Sequence, residues 1–393
     1  MPIPHSRPAS APVFSPLENE PPLRLLRWLH LVPPDGLAAG RRALFLALLA
    51  WLPIAVWAWV SDPVAGADAN ESLLRHYGVH VRCLVAIPLL ILAEPMLHGT
   101  ARAVGSRLAA GAAVTAAARA SFEAATRWVV RLRDSSLPWV LLIGAAIGWS
   151  LADDPEDHAD AMAWAIDAHG AIGFGGWWFA WVSRPIFLAL LLAWLWRILL
   201  VSAWFWRVGR IDLSLVPTHP DRAGGLAFVE KLPGTFALVS VALSSVLASR
   251  WAHEILHHGA SLASFRHTLI VFVVVWSLLL LLPLLAVSPA LGRVRKEAIA
   301  AYSELVGRQG ALVHRRWIEG RQVADEPILD APEIGPVADA AAMYEAVRKM
   351  RRVPIGKVSI IGIVLPLALP LLVVAALQIP LKDLLLKLAK VLV

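Results

Sequence analysis

Seven apolar stretches, at about 43–60, 81–98, 137–152, 177–200, 234–250, 268–290 and 359–378, dictate what this 393-residue chain can fold into. A helix needs about 20 such residues to cross roughly 30 Å of hydrocarbon, where every backbone donor and acceptor must be satisfied within the segment. The chain is therefore expected to be all-α, a polytopic transmembrane helix bundle of about seven spans (six or seven). Composition agrees with this, at 58% hydrophobic and 17% charged residues and a mean hydropathy of +0.64. Those values exclude a disordered chain, a nucleic-acid-binding tail protein and an ordinary soluble enzyme. Eighteen tryptophans beside three tyrosines add the aromatic signature of membrane–water interfaces. The single cysteine, Cys83, lies in an apolar run and reads as a buried, inert thiol.

Charge orients the bundle. With the N-terminus inside, 27 of the 36 Lys and Arg residues fall in the segments 1–42, 98–136, 207–233 and 291–357. The opposite segments, 61–80, 153–176 and 250–267, carry only Arg75, Arg250 and Arg266. The positive-inside rule then places the N-terminus in the cytoplasm, and the membrane is expected to be a bacterial inner (plasma) membrane. The net charge of +7 is mostly this orientation signal.

The segments between spans have their own character. Residues 1–22 hold seven prolines and read as a disordered tail. Residues 23–42 follow as an interfacial helix, with Arg24, Arg27 and His30 on one face. After spans one and two (43–98), residues 99–136 read as a basic, Ala-rich cytoplasmic helical segment. Spans three and four (137–206) precede a turn-rich cytoplasmic loop at 207–233. Spans five and six (234–290) run into a second helical cytoplasmic segment, 291–357, with an acidic, proline-punctuated linker at 325–336. The last span, 358–379, contains Pro366 and Pro370 and should be kinked or broken. Either it crosses, which is the preferred reading, or it is a re-entrant hairpin. Residues 380–393 form an amphipathic tail. In the short third span, Gly144 and Gly148 make a GxxxG pair that suits close helix packing or arises by chance among Ala and Gly.

Five constellations carry chemistry. Eight of the thirteen histidines fall in the outer segments, among them the pairs His76/His80 and His253/His257, four residues apart, and His258. Residues at that spacing share a helix face and can chelate a divalent metal. Six acids at 153–167 (Asp153, Asp154, Glu156, Asp157, Asp160 and Asp167) add an attractive field for cations. His253-Glu254-Ile255-Leu256-His257 matches HExxH, the pattern in which two histidines hold zinc and the glutamate activates water, but no third acidic ligand follows on that side. Glu94 and Arg184 are charges inside apolar runs, which mark either a substrate path or a structural ion pair; Arg197 is expected to snorkel toward the surface. Ser240, Ser244, Ser245 and Ser249 make a polar stripe that lines a pore or packs helices.

The fifth constellation is Thr218-His219-Pro220-Asp221-Arg222-Ala223-Gly224-Gly225-Leu226. His219, Asp221 and Arg222 could bind an anion or a metal, or Asp221 could cap an ordered turn. This string, followed by a Ser-rich span and a short Gly-Ala-Ser-Leu loop, resembles a group of bacterial multi-pass membrane proteins without an assigned activity. The resemblance covers about 210–265 and implies only the class, integral membrane protein.

Three functions are open from the residues. The leading expectation is transport or conduction of a small ion, a cation in the reading that the acidic, histidine-rich outer face favours, along Glu94, Arg184 and the serine stripe. A non-transporting scaffold or interaction protein is the first alternative, and a membrane zinc metalloprotease the second. The expected partners are the bilayer and its anionic headgroups, with self-association open and no nucleic acid.

Overall fold

The computed structural model describes residues 14–378 except 29, 31, 34–35, 66–72, 112, 153–162, 166–170 and 322–334. The acidic cluster at 153–167, the 325–334 part of the linker and the 380–393 tail lie outside the described residues. Among these residues the chain is helical and has no strands. We number the helices α1 (Pro21–Trp28), α2 (Ala39–Ala65), α3 (Tyr77–Ala110), α4 (Ala116–Asp134), α5 (Ser136–Ala152), α6 (Phe174–Val208), α7 (Ala237–His258), α8 (Arg266–Val313), α9 (Gly335–Arg348) and α10 (Lys357–Gln378).

Six helices, α2, α3, α6, α7, α8 and α10, are long and apolar enough to cross a membrane. The third expected span is α5, whose apolar stretch Ser136–Ser150 is too short to qualify. α5 packs along α6. The two ends differ in character. One carries α1, α4, the 209–226 loop, the far half of α8 and α9, and is basic; the other carries His76, His253, His257 and His258.

Proline explains the irregular helices. Pro53 has no N–H, so the Leu49 carbonyl in α2 loses its intrahelical donor; the Trp178 indole takes its place at 3.0 Å. Wide π-type turns at Val81–Ala86 and Phe179–Ser183 come just before Pro88 and Pro185. The two turns converge on α2, where Ser183 Oγ donates to the Ala50 carbonyl at 2.6 Å and the buried Cys83 Sγ lies 3.9 Å from it. The tryptophan signal thus has a second source. Trp59, Trp149 and Trp177 are exposed, as expected at interfaces, but Trp194 and Trp204 are buried braces. Trp194 donates to the Leu90 carbonyl at 2.9 Å and Trp204 to Thr126 Oγ1 at 3.1 Å.

Four expectations need correction. The tail is not disordered up to residue 22: Phe14, Ser15, Leu17 and Glu20 are buried, and Phe14 stacks on Trp204 at 4.9 Å. Apolar Phe14 and Leu17 make that packing favourable, and Arg133 Nη1 ties it down by donating to the Ser15 carbonyl. The interfacial helix is only α1, and Arg41 and Arg42 already belong to α2. The glycines of the GxxxG pair face open space and bring no helix close. Pro366 and Pro370 do not break the last helix, since α10 runs continuously through both.

The close approach that the GxxxG pair does not make occurs at Gly362 on α10. A Cβ there would stand 3.0 Å from Gly234 Cα and 3.1 Å from its nitrogen. Backbone cannot give way as a side-chain tip can. Gly362→Leu is expected to force α10 off the 233–236 turn, at a cost of about 1–3 kcal/mol for overpacking. Denaturant unfolding in bilayer nanodiscs measures this, and an unchanged midpoint would show that the contact is slack.

At the basic end, arginines cap helices. Arg295 donates to the carbonyls of Met350 (2.8 Å) and Arg348 (3.1 Å), and Arg293 to that of Gly209 at 2.9 Å. These carbonyls close α9 and α6, where the backbone has acceptors and no donors. The 48 residues of α8 span about 72 Å. Crossing takes roughly 30 Å, so the rest projects from the basic end and carries α9.

Candidate functional site

Glu94 lies within α3 and Arg197 within α6, each facing a low-dielectric interior where an unpaired charge is prohibitive. The structure pairs them with each other, at 3.0 Å. Arg197 also makes two bonds to Glu20, at 2.9 and 2.8 Å, a bidentate fork on a carboxylate. Arg42, in the first turn of α2, reaches the second oxygen of Glu94. The result is a closed chain of four charges, Glu20–Arg197–Glu94–Arg42, which is neutral overall. Glu20, Glu94 and Arg197 are at most 4% exposed. Three parts distant in sequence (the N-terminal segment, α2 with α3, and α6) are pinned at one level.

This corrects one expectation and, of the two readings of Glu94, favours the structural ion pair. Arg197 does not snorkel, because carboxylates come to it. Glu94 does not pair with Arg184, which sits just beyond the π-type turn of α6, half the helix away from Arg197. Its position keeps it from the Glu94 set. Glu20 and Arg42 went unflagged because both lie outside the apolar runs. The available signal was electrostatic: Arg197 within an apolar run requires an acid, and the N-terminal segment holds two.

Two members of the serine stripe, Ser240 and Ser244, are engaged in packing. Ser240 Oγ accepts from the Trp276 indole of α8 at 2.9 Å. Ser244 Oγ donates to the Ser240 carbonyl at 2.8 Å and lies 3.5 Å from the carbonyl of Pro366. Pro370 leaves that carbonyl without its intrahelical donor, so the serine sits where α10 needs a polar neighbour.

At the other end the histidines partly converge. The His253 ring lies 5.6 Å from that of His76, 4.6 Å from His257 and 5.7 Å from His258, between ring centres. Tyr77 stacks near His257. His80 is not part of the cluster: its Nδ1 accepts from the Trp51 indole and its Nε2 meets the Leu73 carbonyl, so both nitrogens are taken. Among the described residues, no set of three or more His, Cys, Asp or Glu side chains is placed to hold a metal. The HExxH string and the outer metal site therefore lack a formed ligand set within these residues.

The loop at the basic end is the most highly organised polar feature. Asp221 accepts backbone hydrogen bonds from Ala223 (2.8 Å), Gly225 (3.1 Å) and Ala227 (3.1 Å), and His219 Nδ1 lies 2.9 Å from its carboxylate. Those donors converge because Arg222, Gly224 and Gly225 adopt left-handed backbone, with φ of 57°, 64° and 95°. At Gly224 a Cβ would crowd Leu215 at 3.1 Å as well. Partial burial pushes the Asp221 carboxyl up, but the three amides and His219 outweigh it and hold it below the usual carboxylate range.

A depressed carboxyl contributes stability above its unfolded pKa of about 3.9 and loses it as pH falls through the lower folded value. Amide-exchange protection across 214–226, with each rate divided by its intrinsic value at the same pH, is expected to hold at neutral pH and to fall below about pH 4, whereas loss of protection already near neutrality would contradict the assignment.

Arg351 straps this loop to the next helix. Its amide donates to the Arg222 carbonyl at 2.8 Å, and its guanidinium reaches the carbonyls of Asp221 and Ile355 and the Glu230 carboxylate. Between loop and strap lies a cavity of about 600 Å³, lined by Arg222, Arg351, Lys357, Ile355 and Ile360 among others. No protein-family model, curated protein or solved structure matches the chain.

Proposed function

We propose that this chain is a non-transporting integral protein of a bacterial inner membrane, a scaffold whose packed bundle presents a basic platform to the cytoplasm. The observation that carries the reading is the closed charge chain Glu20–Arg197–Glu94–Arg42. A conducting path needs charges that meet water or a substrate, whereas each of these four has an opposite charge at ion-pair distance, with Arg197 Nη1 and Arg42 Nε the nitrogens of the set that are buried without a partner, and together they fix the N-terminal segment. Ser240 and Ser244 support the same reading, since their hydroxyls serve Trp276 and α10. The charge distribution of the sequence supports an N-terminus on the inside.

The competing reading is conduction of a small cation gathered by the histidine cluster around His253. One assay decides between them. Protein in liposomes is expected to pass K⁺, Na⁺ and Zn²⁺ no faster than empty liposomes, and Glu94→Gln is expected to leave that baseline unchanged. Flux above the baseline that disappears in Glu94→Gln would overturn the scaffold and restore the residue to a path.

A further inference from the structure

The cavity at the basic end has a composition that selects its ligand. Three cationic side chains line it, Arg222, Arg351 and Lys357, with one carboxylate, Asp221. That carboxylate is already engaged by three amides and His219. Arg351 spends part of its guanidinium on Glu230 and on the carbonyls of Asp221 and Ile355, and keeps its full positive charge beside the cavity. Arg222 and Lys357 make no ion pair with any described residue. α10 begins at Lys357, so the positive end of a 22-residue helix dipole opens on the same space. The unpaired positive charge of Arg222 and Lys357, the Arg351 guanidinium beside them and a helix N-terminus together favour a compact anion with several acceptor oxygens.

The other wall says where that anion comes from. Ile355 and Ile360 border the cavity, and Val358, Ile360 and Ile361 are exposed on the first turns of α10. A helix that enters hydrocarbon here puts the cavity at headgroup depth, with an apolar flank running down from it. We infer that this cavity binds the phosphate group of an anionic glycerophospholipid, held by Arg222, Arg351 and Lys357, with its acyl chains along α10. The inference rests on the chain being membrane-integral with its basic end at a lipid surface, and not on whether the bundle conducts.

The test uses the full-length protein purified in detergent. It is titrated with short-chain phosphatidylglycerol, with phosphatidylcholine and with inorganic phosphate, and bound ligand is counted by native mass spectrometry. The variants are Lys357→Gln and Arg222→Asn, asparagine being a residue that tolerates the left-handed backbone there. Neither side chain makes a bond that holds the loop together, so the thermal midpoint should stay at the wild-type value. Phosphatidylglycerol should be retained over phosphatidylcholine, with binding about tenfold weaker for each charge removed. If inorganic phosphate binds equally well and responds to the same variants, the phosphate site stands and its ligand is soluble. Retention of no anion by the wild type, or equal retention by the double variant, overturns the inference. Ion flux in liposomes would sink the scaffold reading and leave this result untouched, so the two failures are distinguishable.

Discussion

Replacing Arg197 with methionine is expected to destabilise the protein by about 3–5 kcal/mol, the range for breaking a buried ion pair from one side. The reason is specific to this site. Arg197 stands between Glu20 and Glu94 and bonds both, so its loss leaves the buried Glu20 carboxylate without its cation and Glu94 with Arg42 alone. The N-terminal segment should detach as well, because Glu20 anchors it. Denaturant unfolding in nanodiscs reads the first effect, and protease sensitivity near Phe14–Glu20 reads the second. The triple variant Arg197→Met, Glu20→Gln, Glu94→Gln should recover most of the loss, since apolar and neutral groups of similar size replace a buried ionic set at little net cost. Arg42 then keeps the Leu37 carbonyl as an acceptor. A triple variant no more stable than Arg197→Met would mean that shape, not charge, decides.

The second large effect is expected at Asp221. Its carboxylate is the common acceptor for Ala223, Gly225 and Ala227, and three residues hold left-handed backbone to bring those amides in. Asp221→Ala removes the acceptor while the backbone cost remains. Orphaned donors in a partly buried turn make the loss about 1–3 kcal/mol. The strap through Arg351 should loosen with it, since Arg351 bonds the carbonyls of Asp221 and Arg222. Amide exchange should rise across 214–226 and 348–356 together, while the interior of α3 and α6 stays protected. Exchange that rises in the loop alone would show that the strap is held by Glu230 and Ile355 without it.

The parts legible in the sequence are those written in local periodicity. Apolar length marked every crossing helix, and the shortness of α5 was visible in its residue count. The turn at 217–226 was legible because Pro217, Pro220, Gly224 and Gly225 each have a fixed backbone meaning. What was not legible was pairing across distance. Glu20 stands 177 residues from Arg197, inside a stretch whose prolines suggested disorder. Nothing local in that stretch reveals that Phe14 stacks on Trp204. The serines read equally as pore or packing, and the deciding fact lies in another helix, where Pro370 deprives Pro366 of its donor. The platform cavity joins residues 220–222 to 351–360 and appears only once α10 has docked.

The most direct test of the account is a double-mutant cycle on Glu94 and Arg197, with unfolding measured in bilayer nanodiscs. Using Glu94→Gln, Arg197→Met and the pair of substitutions together isolates their interaction from the effect of each residue alone. A closed structural charge chain predicts strong coupling, about 2–3 kcal/mol, with the double variant losing much less than the sum of the singles. Additive losses, with coupling near zero, would contradict it and return Glu94 to the list of charges awaiting a substrate.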